Sequence, residues 1–219
     1  MYRKSVFITR ERESILPFID ELNNHGIWVA AQPLLRYESV NFLLPTVKVE
    51  WVFFSSRNAV RFFFVKELAG NVKYAAIGSA TAAELSKHAE VSFVGADYDT
   101  QKTAVEFAKV AGESSILFPT CSNSVRTVQH VLSPSQVIEI VCYRSTRIET
   151  SVGPHDAYVV LSPENARVIL EDSSINRQAP FFVLGNPTAL ALSNGEISNI
   201  HFLPDGARNG WARNILSFI

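Results

Sequence analysis

The chain has 219 residues, of which 47% are hydrophobic and 19% charged, enough apolar material for one large core or two small ones and too much for a disordered segment. Twenty Lys and Arg against 21 Asp and Glu leave a net charge of −1, so no global field recruits nucleic acid or an anionic membrane, and an acidic ligand has to be met locally.

In chain order, the first apolar run lies in "KSVFIT"; its unbroken part, Val6 to Thr9, is four residues long, too short for a signal peptide or a membrane span, and a cytoplasmic protein is expected. A polar break and a helical pattern follow, then the run "GIWVAA". The segment "LLRYESVNFLLP" lacks helical period. Beyond it come the runs "VEWVFF", "KYAAIG", "VSFVG", "SSILFP" and "VIEIVCY", then a second unperiodic segment, "CYRSTRIETSVGP", and the runs "DAYVVL", "PFFVLG" and "NIHFL". Runs that are apolar along their whole length and alternate with helical patterns predict parallel sheets covered on both faces.

The sequence repeats itself. "YAAIGSATAAELSK" returns as "FFVLGNPTALALSN", with Gly185, Thr188 and Leu192 standing 107 positions after Gly78, Thr81 and Leu85. "FSSRNAVRFF" and "LSPENARVIL" share that offset, pairing Ser55 with Ser162 and Asn58 with Asn165. The repeat divides ten predicted strands five and five, but not front half from back half. "SILFPTCSNSVRTVQHVL…VIEIVCY" has the strand, break, helix, strand pattern of the N-terminal "SVFITRERESILPFIDELNNHGIWVAA", which makes the chain's opening the missing beginning of the second copy. Two domains of about 110 residues are therefore predicted, residues 1–35 with 145–219, and residues 36–144 inserted between them. The two unperiodic crossings are expected to pair as a short extended ladder and to act as a hinge.

In open parallel sheets, ligands sit beyond the carboxyl ends of the strands, where helices begin. All four repeated stretches are such turns. Asn186-Pro187 and Ser162-Pro163 mark helix starts, a favoured cap followed by proline at the first helical position, and the common offset makes Ser79 and Ser55 the corresponding caps. Gly78 and Gly185 allow a tight turn and a close ligand, and Thr81 and Thr188 fall at the second helical position, where backbone N–H groups lack helical partners and the helix dipole favours an anion. The same residues also suffice for a well-capped turn with no ligand.

Other chemistry is scarce. GxGxxG, Walker, GxSxG and HExxH motifs are absent. His25, His88, His130, His155 and His201 have no metal-ligand spacing and read as surface or loop residues, and no metal is expected. Cys121 and Cys142 read as reduced and structural, and "RFFFVKEL" reads as a buried helix face.

Five features in order, "FITRERE", "WVFFSSRNAV", "AAIGSATAAEL", "ILFP…SVRTVQHVL…VIEIVCYRS" and the late "VLSPENA" with "VLGNPTALAL", resemble the uroporphyrinogen-III synthase (HemD-like) family from Phe7 to about Leu192. The resemblance implies two similar flavodoxin-like parallel-sheet α/β domains, one inserted in the other, joined by a two-stranded linker with a cleft between them. It also implies no organic or metal cofactor, and closure of hydroxymethylbilane to uroporphyrinogen III with inversion of ring D and loss of water. Tyr143 in "VCYRS" matches the family's Tyr-Arg-hydroxyl pattern and becomes the candidate proton donor, although a structural tyrosine fits the same place. The substrate-binding candidates are Arg10, Ser55, Ser56, Asn58, Gly78, Ser79, Thr81, Ser162, Asn165, Gly185, Asn186 and Thr188. "PTCSNSVR" lacks the glycine usual after its strand, and "LPDGARNGW" departs from the usual ending. Expected partners are the small-molecule substrate alone, with no nucleic acid or membrane and a monomeric chain. The rival readings are a non-catalytic two-lobed binding module for an anionic metabolite and a degenerate member kept for protein interaction.

Overall fold

The computed structural model describes residues 4–66, 70–97, 99–204 and 210–219. The anticipated turn at "LPDGARNGW" and the last part of "RFFFVKEL" lie largely outside these residues. The chain divides into two compact units, Met1–Arg36 with Arg147–Ile219, and Tyr37–Thr146.

In the discontinuous unit, β1 (Lys4–Ile8), β2 (Ile27–Ala31), β9 (Ala157–Val159), β10 (Phe181–Val183) and β11 (Ile200–Phe202) form a five-stranded sheet in the order β11-β10-β9-β1-β2, with parallel pairing along it. Between β1 and β2 runs α1 (Leu16–Asn24), which has Pro17 in its first turn, buries Phe18, Ile19 and Leu22, and is followed by Gly26 at φ 75°, a backbone angle that only glycine takes up freely. This helix and α7 (Trp211–Leu216) cover one face of the sheet; α5 (Pro163–Leu170) and α6 (Asn186–Asn194) cover the other.

In the second unit, β4 (Trp51–Phe54), β5 (Lys73–Ala76), β6 (Val91–Val94), β7 (Ile116–Cys121), β8 (Val137–Arg147) and β3 (Leu35–Ser39) form a six-stranded sheet in the order β3-β8-β7-β4-β5-β6. Strand β4 is buried throughout because both its faces are covered. Val52 and Phe54 pack beneath α2 (Arg57–Phe63) and α3 (Ser79–Leu85), whereas Trp51 and Phe53 pack against Phe107 of α4 (Thr100–Ala111). Each such buried aromatic contributes about 1.5–3 kcal/mol of transfer free energy. Strand β3 joins β8 through the first crossing: Val40 N–H donates to the Cys142 carbonyl and Ile148 N–H to that of Leu34, so the two segments run antiparallel.

Aside from β3, the two sheet orders match element for element when β1 and β2 are set against β7 and β8. Two local expectations fail. No α-helix forms from "SVRTVQHVL"; the segment holds a 3-10 turn at Gln129–Val131, and a second follows it at Pro134–Gln136, because only Val128 and Leu132 find a core to enter, Val125 stays exposed, and Arg126 and Gln129 are drawn to Glu139 on β8. The 107 offset also does not hold throughout. Tyr74 pairs with Val52 and Phe181 with Tyr158, so β10 stands 107 residues beyond β5 while β9 stands 106 beyond β4.

Candidate functional site

Tyr143 owes its position to a β-bulge. Along β7 and β8 the register runs Thr120 to Val141 and then Cys121 to Tyr143, so Cys142 is an extra residue in the ladder. Ile138, Ile140 and Cys142 belong to the layer beneath α2 and α3; an unbroken alternation would send Tyr143 to the opposite face, but the bulge returns it to the same layer, 5% exposed. There its ring stacks on Phe62 of α2, with centroids 5.2 Å apart, and meets the Tyr37 ring at 6.1 Å.

The Tyr143 hydroxyl lies 2.9 Å from Ser56 Oγ, and Ser56 Oγ accepts the Ala59 N–H at 3.0 Å as the N-cap of α2. The pair holds two hydroxyl hydrogens. One is used between them and one remains to donate elsewhere. Burial pushes the Tyr143 acidity far weaker than that of an ordinary phenol, so the group stays protonated at neutral pH. Ser55, expected to be this cap, is instead the exposed residue before it: the 106-residue relation of β4 to β9 sets Ser56, not Ser55, against Ser162. Asn58 follows in the first turn of α2, half-buried.

The turn after β5 starts one residue earlier than expected. Gly78, not Ser79, is the N-cap of α3, and Ser79 is the first helical residue. Thr81 is therefore third rather than second, 5% exposed, and its N–H already donates to the Gly78 carbonyl at 3.1 Å. The Ser79 N–H donates to Asp97 Oδ1 at 2.7 Å, a partner the sequence reading missed.

In the discontinuous unit, Ser162 caps α5 by accepting the Asn165 N–H at 3.1 Å, as expected. Asn165 also donates its side-chain Nδ2 to Ser162 Oγ at 2.9 Å, so that side chain serves its own helix start. Gly185, not Asn186, caps α6; Asn186 is exposed at the first helical position, and Thr188, third and 5% exposed, bonds back to the Gly185 carbonyl at 3.1 Å. Arg10 lies half-buried in the turn after β1. Thr9 beside it donates Oγ1 to the Val159 carbonyl and accepts the Leu161 N–H, tying the ends of β1 and β9 together. The candidates thus fall in two groups, each at the carboxyl ends of one sheet: Ser55, Ser56, Asn58, Gly78, Ser79 and Thr81 with Tyr143, and Arg10, Ser162, Asn165, Gly185, Asn186 and Thr188.

Among the described residues, no three His, Cys, Asp or Glu side chains are grouped so as to hold a metal ion. Cys121 and Cys142 are free and buried, and burial pushes the Cys142 thiol up to about 12. His155 is not a surface residue: it is 8% exposed, packed by Phe7, Trp28 and Tyr158, with Nε2 against the Val152 carbonyl.

A structure of uroporphyrinogen-III synthetase from Helicobacter pylori is similar over 99% of this chain and 100% of that one, with a TM-score of 0.68 and 15% identity. A mutant uroporphyrinogen III synthase from the extremely thermophilic bacterium Thermus thermophilus is similar over 98% and 97%, with a TM-score of 0.64 and 12% identity. At these identities the likeness establishes the fold. No curated protein sequence matches. The family model for uroporphyrinogen-III synthase HemD matches residues 17–204, across both units and every strand but β1, and on that match the chain belongs to the uroporphyrinogen-III synthase family, the cyclising lyases of tetrapyrrole biosynthesis.

Proposed function

We propose that this chain closes hydroxymethylbilane to uroporphyrinogen III, inverting ring D and releasing water, with Tyr143 and Ser56 as the hydroxyl pair that serves the departing group. The observation that carries this reading is the 2.9 Å contact between Tyr143 and Ser56 at the carboxyl end of the second sheet, where one hydroxyl hydrogen is left over. The bond to the bilane's terminal hydroxyl breaks as that oxygen takes up a proton and leaves as water, ring closure forms a carbon–carbon bond, and the ring system gives a proton back. A buried phenol resists ionisation, so Tyr143 works by donating a hydrogen bond to the leaving oxygen while Ser56 steadies the charge that develops on the phenol oxygen. Positioning supplies the rest of the effect, because the product differs from the uncatalysed isomer in how the last ring is presented.

For the substrate's acid groups, the proposed lining is Ser55 and Asn58 at the sheet end of the second unit, and Arg10, Ser162, Asn165 and Asn186 with the backbone at Gly185 at that of the discontinuous unit; Ser79 and Gly78 belong to a turn whose free N–H is already taken by Asp97. The buried side chains of Thr81 and Thr188 are assigned to their own turns. The proposal includes two lobes, residues 1–35 with 145–219 and residues 36–144 inserted between them, a monomeric chain, and a cytoplasmic setting; among the described residues no helix is long and apolar enough to cross a membrane. Incubation with freshly generated hydroxymethylbilane, followed by oxidation and separation of the porphyrin isomers, tests the reading. An excess of the type III isomer over the enzyme-free control supports it, and the type I isomer alone would remove it.

A further inference from the structure

Asp97 stands three residues after the close of β6, in a loop fixed at several points. Gly95 N–H donates to the Ala76 carbonyl, extending the sheet by one rung, and Thr103, fully buried, donates Oγ1 to the Ala96 carbonyl. Asp99 caps α4 by accepting the Lys102 N–H at 2.9 Å. Two glycines let this loop lie directly on the end of β5. A Cβ on Gly95 would come 2.5 Å from the Ile77 carbonyl oxygen, and a Cβ on Gly78 would come 2.5 Å from Asp97 Oδ1. Neither contact is one that a real side chain makes, so any larger residue at either place would push the carboxylate off the turn.

The carboxylate is exposed, accepts the Ser79 N–H at 2.7 Å, and among the described residues pairs with no cation. A turn that the repeat pattern offers to an external acid thus already holds an internal one, in water and without a neutralising partner. We propose that Asp97 is a specificity-determining residue of the substrate lining: its charge keeps substrate carboxylates away from the Gly78 turn and sets how many acid groups a ligand can present on that side. The idea rests on the functional reading above, in taking the ligand to be a polycarboxylate tetrapyrrole and the carboxyl end of the second sheet to be part of its lining.

The test compares wild type with Asp97→Asn, whose side-chain oxygen still accepts the Ser79 N–H while the charge is gone. Binding of an octacarboxylate porphyrin and of a tetracarboxylate porphyrin is followed by fluorescence titration at low and high salt, with melting curves for both proteins. Removing one exposed like charge at contact range corresponds to roughly fivefold in affinity. The expected result is about fivefold tighter octacarboxylate binding by Asp97→Asn at low salt, less than twofold for the tetracarboxylate, a gain that shrinks at high salt, and unchanged melting. Equal changes for the two ligands, no change, or weaker octacarboxylate binding would overturn the proposal, and weaker binding with a lowered melting temperature would make Asp97 a structural anchor of its loop. Because binding is read directly, a wild type that binds porphyrin but forms no type III isomer would count against the synthase reading and leave this test intact.

Discussion

Replacing Ser56 by alanine removes two hydrogen bonds at one atom, the cap to Ala59 N–H and the contact with the buried Tyr143 hydroxyl. An N-cap serine is worth about 1 kcal/mol, and a buried hydroxyl left without its partner costs about 1–3 kcal/mol, so Ser56→Ala should destabilise by roughly 2–4 kcal/mol. Ser162→Ala is the comparison without a tyrosine: it removes the equivalent cap on α5 together with the Asn165 Nδ2 contact at the same oxygen, and should cost about 1–2 kcal/mol. The diagnostic comparison is a double-mutant cycle read by urea unfolding with circular dichroism. With Tyr143→Phe already in place no hydroxyl is left to be orphaned, and Ser56→Ala should then cost only its cap, about 1 kcal/mol. A Ser56→Ala penalty that is the same in both backgrounds, within about 0.5 kcal/mol, would mean that the two hydroxyls do not interact, and the paired-donor account would fail.

Thr81→Val and Thr188→Val should each change the Michaelis constant less than twofold and leave melting nearly unchanged, because both side chains are 5% exposed within their turns; a large rise in the constant for either would restore it to the substrate lining. Glu84 accepts from Arg61 and Lys87, which hold its carboxyl at about 2, below its ordinary 4.5. The stabilisation this provides is complete above pH 4.5 and lost as pH falls toward 2, so Glu84→Gln should flatten the acid-unfolding curve in that window, and an unaltered slope would count against the pairing. His155 is held below its ordinary 6.5 by burial, so the unfolded chain takes up the proton more readily and stability should fall as pH drops below 6.5. Melting curves from about pH 8 to 5 should show that fall in wild type and less of it in His155→Phe.

What the sequence made legible was whatever a local pattern records. Fully apolar runs such as "WVFF" announce strands covered on both faces, and the unequal halves of the repeat placed the opening β1–α1–β2 with the C-terminal strands, which the sheet order reproduces. What it hid depends on partners distant along the chain. The 107-residue match of "FSSRNAV" with "LSPENAR" is one residue out of strand register, and only the pairing of β4 with β5 and β9 with β10 reveals that Ser56, not Ser55, is the cap. The bulge at Cys142 is decided by hydrogen bonds to β7, so no alternation pattern could turn Tyr143 inward. The periodic valines of "SVRTVQHVL" suggested a helix, but periodicity does not reveal that Glu139 on β8 would claim Arg126 and Gln129. Asp97 carries no motif; its signal is the pair Gly78 and Gly95, which have meaning only once β5 and β6 lie side by side.

Whether the synthase reaction depends on the Tyr143 hydroxyl is read from the initial rate of type III isomer formation by Tyr143→Phe beside wild type, with unfolding curves for both. The phenyl ring keeps its stack on Phe62 and loses only the hydroxyl. Turnover should fall about ten- to a thousandfold, up to the middle of the range for general acids, with the Michaelis constant changed little and the fold intact. Type III formation at the wild-type rate would contradict that dependence.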